Sequence, residues 1–421
     1  MQNRLTVCII SFTVYCINTV YANPFHNVRY KTLCYVTKTF RNVGRKTLHY
    51  DTNVTHLFFS IGVFLYILFE RKEIFYIMKD TKLIDIIIPA YKAQNTIDKT
   101  VASVAIQNIA DQCVVTIVND GEKGNYKKTV DRFKDMVEIR EIKMEQNGGP
   151  GVARQFGIDN TSCPYFTCID ADDTFSGAFA LAVLLRGFEQ NQNNCAVIGS
   201  FAEEHPGLQF MSHQTDLVWM FGKLYRRDFI DRFKIRFNST RANEDNGFNT
   251  LLRLCATEQE PIAFIQDNVY FWHSKEDSIT RINNCEYSYN QSFVGYTDNM
   301  IYAIVEAKKR NPFNGNIMFW ATQTMFHLYT YYMQTCERDK RFKDQNYQCC
   351  VKYYQTVFQK IRPELSDEIF KEIYSNVVQQ SDMRNIAPDV TIYQFLDMLE
   401  KEPKIEFEIE QPTPKVLVGQ K

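Results

Sequence analysis

"FTCIDADDTF", residues 166–175, decides the architecture. Phe166, Cys168 and Ile169 make the apolar run of a buried strand. That run ends in three carboxylates within four positions, Asp170, Asp172 and Asp173. Ionised carboxyls cannot enter a core unpaired, so the strand must stop here and deliver its charge to an accessible edge. Upstream, "LIDIIIPAY" (83–91) and "CVVTIVND" (113–120) end alike, in Pro89-Ala90-Tyr91 and Asn119-Asp120-Gly121. Each is followed by helical spacing, over "NTIDKTVASVAIQNI" (95–109, with Asn95 and Thr96 as expected caps) and "YKKTVDRFKDM" (126–136). "VEIREIKM" (137–144) alternates like an exposed strand, and "NGGPGVARQFGID" (147–159) is a glycine-rich turn opening a helix. Strands alternating with helices predict an α/β fold with a mostly parallel, covered sheet. Ligands of such sheets gather outside the carboxyl ends of the strands, where all the unusual residues here fall.

Beyond 175 the elements mix. A helix is expected over 179–190, strand-like runs over 195–204, 216–227 and 262–275, and a helix capped by Asn243 over 243–255. From about 286 to 400 the text reads as helices rich in Tyr, Phe and Met, followed by a polar tail over 401–421. The 421 residues are 45% apolar, enough for a large core, and the net charge of −1 offers no global basic field for nucleic acid. The twelve cysteines form no CxxC pair, so reduced thiols are expected rather than a zinc site or a disulfide framework.

Residues 1–77 read differently. They carry nine basic and three acidic residues and two apolar runs, 5–22 and 57–69. The first resembles a secretory signal; the second, 13 residues long, is shorter than the ~20 a bilayer needs. One reading is a membrane-associated lead. The expectation adopted is a cytoplasmic protein whose translation begins at Met78, with 1–77 not part of the functional chain.

Four constellations carry chemistry. Asp170 and Asp172 form a D-x-D whose hard oxygens suit Mg2+ or Mn2+ together with phosphate; the alternative is a solvated Asx turn. "NGGPGVARQ" frees backbone amides before a helix, where an anion could sit, with Arg154 one turn in; the alternative is a plain helix start. Glu244-Asp245 in "RANEDNGF" supplies a carboxylate as general base, or simply favours the helix dipole. His273 in "WHSKEDSIT" is a metal ligand or a core histidine.

Taken in order, "IIIPAYKAQNTIDKTVASV", "VNDG", "NGGPGVARQFGI", "CIDADD", "ANEDNGF" and "YFWHSKEDSITR" resemble glycosyltransferase family 2, and "WMFGKLYRRDFI" is similar to members from bacteria and their phages. The resemblance spans about 86–281. It implies a GT-A fold, Rossmann-like with flanking helices, over 82–285 and a helical region over 286–400. It implies that Pro89, Ala90 and Tyr91 line the nucleotide pocket, that Asp120 bonds the base and that Arg154 supports base or diphosphate. Asp170 would serve the ribose side and Asp172 the metal, with His273 beside it, and Asp245 would deprotonate the acceptor. The family's usual Asp-Asp-Gly-Ser is here Asn119-Asp120-Gly121-Glu122. The implied activity is inverting, metal-dependent transfer from a nucleotide sugar, a UDP-sugar by expectation, to a hydroxyl of a glycan, a wall polymer or a modified DNA base. The alternatives are a catalytically silent GT-A binding module and a glycoside hydrolase, which would need two carboxylates flanking the bond and no D-x-D.

Overall fold

The computed structural model describes residues 82–405 except 208, 275–284, 313 and 381–388. The expectations about residues 1–77, Met78 and most of the polar tail lie outside the described residues.

Nine strands form one mixed sheet: β1 (Ile84–Ala90), β2 (Cys113–Asn119), β3 (Glu138–Lys143), β4 (Tyr165–Cys168), β5 (Thr174–Phe175), β6 (Ala196–His205), β7 (Gln209–His213), β8 (Lys223–Arg226) and β9 (Ile262–Trp272). Their order is β3-β2-β1-β4-β8-β6-β9-β5, with β7 added to β6. The first four are parallel, with Ala90 opposite Asn119 and Ile87 opposite Cys168, so three strand ends open on one edge. Antiparallel pairing enters with β8 against both β4 and β6.

Helices α1 (Ile97–Ala105), α2 (Lys127–Phe133), α3 (Pro150–Asp159) and α4 (Ala180–Gln190) cover the sheet. Alternation along β1 splits its side chains between two cores. Ile86 and Ile88 join Val101 and Val104 of α1, whereas Ile87 joins Ala153 and Ile158 of α3. Helix α3 lies close because Gly157 faces Ile87; a Cβ there would stand 2.4 Å from Ile87 Cγ2.

Past α5 (Arg227–Arg232) and α6 (Glu244–Cys255) the described chain is helical apart from β9: α7 (Ser292–Arg310), α8 (Asn316–Arg338), α9 (Lys343–Tyr353), α10 (Asp367–Gln380) and α11 (Ile392–Lys401). The buried cluster holding Ile87 and Phe166 continues through Leu251 to Phe326, Tyr329 and Phe395, so this region shares the core of the sheet. Its aromatic residues are largely packing. Among the described residues no helix is long and apolar enough to cross a membrane.

Three expectations need correction. Thr96 stands at the N-cap of α1, but its hydroxyl donates back to Ala93 O at 3.3 Å instead of capping the helix. The strand over 216–227 shrinks to Lys223–Arg226, because Asp216 turns the preceding chain by accepting from the N–H groups of Val218 and Trp219. Asn243 does not cap α6 with its side chain. It sits in the left-handed region (φ 59°), and its amide donates to the carbonyl and hydroxyl of Ser292 instead.

Candidate active site

The ends of β1, β2 and β4 meet the glycine turn. Asp120 N–H donates to Ala90 O at 2.9 Å, the register that also places Pro89 beside Val118. The Asp120 carboxylate accepts from Gly148 N–H (2.7 Å), Gly149 N–H (3.0 Å) and the Asn147 amide (2.9 Å). Burial pushes the Asp120 carboxyl up, and the two N–H groups pull the other way. The two motifs thus lock to each other. Gly121 is required in the lock: its φ is +72°, and a Cβ would lie 2.2 Å from the Gln146 carbonyl carbon. Tyr91, just past β1, is exposed.

From this turn α3 carries Arg154 into the interior. The guanidinium is 4% exposed and bridges Asp170 Oδ1 (2.7 Å) and Glu244 Oε1 (2.8 Å). One cation therefore joins the end of β4 to the start of α6. Asp245, half-buried beside it, accepts from Asn246 N–H at 2.8 Å. Burial and the neighbouring Glu244 push the Asp245 carboxyl up to about 7, against the pull of Arg154. Lys223 of β8 is wholly buried and donates to Phe221 O (3.3 Å), with Asp216 Oδ1 3.5 Å away. Burial lowers its ammonium to about 8, with Asp216 and Asp245 holding it up.

At the carboxylate turn, Asp173 is 2% exposed. It accepts from the Tyr270 hydroxyl (2.7 Å) and His273 N–H (2.9 Å), which ties the turn to β9. Burial, Asp170 and Asp172 raise it well above the usual carboxylate range. Asp172 is half-buried. His273 shares one ring nitrogen with Thr174 Oγ1 (2.8 Å) and the other with Glu204 (3.0 Å). The expectation of His273 as a metal ligand meets a ring with both nitrogens engaged.

Helix α7 fixes where α6 begins. A Cβ on Gly247 would fall 2.6 Å from Asn299 Oδ1, and one on Gly295 would fall 2.4 Å from Ala242 O. The buried Asn299 amide bonds Thr240 Oγ1, Ala242 O and Gly295 O, bracing the loop that leads into Glu244-Asp245.

The model of the family described as "Glycosyl transferase family 2" matches residues 85–243, from β1 to the residue before α6. Over those residues the chain matches the family 2 glycosyltransferase domain. Among curated relatives, the "uncharacterized glycosyltransferase EpsJ" of Bacillus subtilis is 25% identical over 48% of this chain and 63% of its own. The teichoic acid poly(glycerol phosphate) polymerase of Staphylococcus epidermidis is 32% identical over 29% of this chain and 17% of its own. The chain spans less than two thirds of the length of these relatives. The structure of residues 1–349 of S. aureus TarS, solved with UDP-GlcNAc, superposes with a TM-score of 0.54 at 13% identity, covering 72% of this chain and 92% of that one. That likeness establishes the GT-A fold.

Within the matched residues and the helix after them, Arg154, Asp170 and Asp245 come together around Glu244. Asp120 belongs to the glycine turn, and Asp173 and His273 to the β9 side. Lys223, Asp216 and Asn299 escaped the reading from sequence. Lys223 had a signal, a lone charge inside the apolar run "WMFGKLY", because lysine is almost never fully buried unless paired. Asn299 had none; its role rests on a helix crossing.

Proposed function

We propose that the protein is an inverting, metal-dependent glycosyltransferase. It would move a sugar from a nucleoside diphosphate sugar, UDP-linked in the first instance, to a hydroxyl of a glycan or wall polymer. One observation carries the reading. Arg154 gathers Asp170 from a strand end and Glu244-Asp245 from a helix start into one cluster, and there Asp245 is held near 7. A general base works best with a pKa near the operating pH.

In this reading Asp245 takes the proton of the acceptor hydroxyl as that oxygen bonds to the anomeric carbon. The bond from that carbon to the diphosphate oxygen breaks on the opposite face, and the electron pair leaves with the nucleoside diphosphate. One displacement inverts the anomeric centre. Arg154 acts as a positioning residue for Asp170 and Glu244, each held by one of its two terminal nitrogens. Pro89, Ala90, Tyr91 and Asp120 stand where the nucleotide would enter, with Asp120 ordering the glycine turn.

Mn2+ or Mg2+ fits the residues present. Such ions are held by one or two carboxylates plus substrate phosphate oxygens and water. Asp172 and the Asp170 oxygen that Arg154 does not hold supply that hard donor set. Among the described residues no three His, Cys, Asp or Glu side chains converge as a closed metal cage. When bound, the ion would neutralise charge developing on the departing diphosphate. His273 is left out of this set because Thr174 and Glu204 occupy its ring.

The test is release of nucleoside diphosphate from a panel of nucleotide sugars with Mn2+. Turnover is expected for at least one donor, with Asp245→Asn and Asp172→Ala each lower by about 10²–10⁴-fold. Absence of turnover with every donor, or undiminished turnover in Asp245→Asn, overturns the proposal.

A further inference from the structure

The carboxylate turn is the inner end of a ladder of aromatic rings. Tyr270 is wholly buried; its hydroxyl donates to Asp173 and accepts from Asp170 N–H at 3.3 Å. Phe221 stacks on Tyr270, with centroids 4.9 Å apart. Trp219 lies parallel to Phe221 at 5.7 Å, and Trp272 is 5.2 Å from both Trp219 and Phe221. Tyr270 and Phe221 are buried, whereas both tryptophans are half-exposed. The ladder therefore leaves the core at the tryptophan pair.

Each tryptophan is fastened to one half of the proposed site. Trp219 O accepts from the Asn249 amide at 3.1 Å, and Val218 O accepts from the same amide at 3.0 Å. Asn249 is one turn beyond Asp245 on α6, hence on the same helix face. From the other side, Asp216 accepts from the N–H groups of Val218 and Trp219, and the buried Lys223 stands 3.5 Å from that same carboxylate oxygen. Trp272 immediately precedes His273, whose N–H is held by Asp173. A surface loop is thus pinned by a buried asparagine and a buried lysine, which is more than an unspecialised turn requires. The pinning ties the Trp219 backbone to the helix that carries Asp245.

We propose that Trp219 and Trp272 form a stacking platform for a sugar ring of the acceptor, so that the acceptor is a glycan. The apolar face of a pyranose matches an indole, a large and rigid surface with few rotamers to freeze. The position sets the hydroxyl-bearing ring between the helix of Asp245 and the turn of Asp170. This rests on reading Asp245 as the acceptor's base.

The test uses the full chain and a β-1,6-linked N-acetylglucosamine tetramer as probe. These two residues are two of the chain's three tryptophans, so wild-type emission reports on them directly. A saturable emission change is expected with the tetramer and none with the ringless poly(glycerol phosphate). In calorimetry Trp219→Ala and Trp272→Ala should weaken tetramer binding at least tenfold. Trp219→Phe and Trp272→Phe should stay within about threefold, and Trp320→Phe should match wild type. With the tetramer as acceptor, the alanine variants should raise its KM far more than they lower kcat. An equal response to poly(glycerol phosphate), a response to 5-hydroxymethylcytidine alone, no response to the tetramer, or unweakened binding in folded alanine variants overturns the platform; if those variants do not fold, the emission result decides. Donor turnover without tetramer binding defeats this inference alone. Tetramer binding without turnover of any donor defeats the glycosyltransferase reading and leaves the platform standing.

Discussion

Arg154→Met is the sharpest perturbation of the site. The guanidinium is 4% exposed, Glu244 is buried and the Asp170 side chain is about one-third exposed, so the substitution strands two carboxylates, one of them deep. Removing one partner of a buried ion pair costs about 3–5 kcal/mol. The Asp170 arm is discounted for its access to solvent, which leaves most of the cost on Glu244. The expected loss is therefore about 3–4 kcal/mol, a large share of the ~5–15 kcal/mol that holds a typical fold. Guanidinium unfolding measures it. A second substitution separates mechanism from packing: Glu244→Gln in the Arg154→Met background removes the stranded charge and should return about 1–3 kcal/mol. The same Glu244→Gln change in wild type should destabilise, because it takes from the buried Arg154 one of its two carboxylate partners. A loss under about 1 kcal/mol for Arg154→Met, or additive losses in the double variant, would refute the bridge as the element joining β4 to α6.

The remaining predictions are briefer. The acid limb of kcat/KM should have an apparent pKa of about 7, set by Asp245 among Glu244, Arg154, Asp170 and Lys223, and rate profiles from pH 5 to 9 will read it. Because Asp245 holds its proton longer folded than unfolded, stability should fall as pH rises from about 4 to about 7, and Asp245→Asn should flatten that slope in melting curves. Gly121→Ala should destabilise by more than the ~1–2 kcal/mol of left-handed strain alone, since the new Cβ meets the Gln146 backbone. Tyr270→Phe should cost about 1–3 kcal/mol by leaving Asp173 a donor short, again measurable by unfolding.

The fold was legible because each early strand is an apolar run that stops abruptly at polar residues. Such a run can only be a covered strand ending at an edge, and β1, β2 and β4 fall where the runs do. Asp170, Asp172 and Asp245 were legible as carboxylates at places where a strand or helix changes. What joins them was not. The partner of Arg154 on α6 is fixed by how α3 and α6 cross, a tertiary fact with no local trace. The Asn243 cap misled for a related reason: the residue type suits an N-cap, yet Ser292 on α7 offers the amide better partners. Tertiary contact overrode a local preference. Short β5 and β7 left no signal either; two residues cannot show a period, and β7 is exposed from Gln209 to Ser212.

Four of the site's aspartates, Asp120, Asp170, Asp173 and Asp245, share one chemistry and are separated by their surroundings. Asp120 is held by two backbone N–H groups and an amide, so it orders a loop. Asp170 is paired with Arg154 through one oxygen, so it ties the end of β4 to α3. Asp173 is raised by burial, but Tyr270 and His273 occupy its oxygens, so it can only brace the turn. Asp245 has burial and Glu244 against its charge, a backbone N–H and the nearby Arg154 in its favour, and a face still open. A carboxylate that is both reluctant to be charged and reachable by a hydroxyl is the one suited to take a proton near neutral pH. The role proposed for Asp245 thus rests on what its neighbours fail to give it, and α7 braces the loop before α6 on which that setting depends.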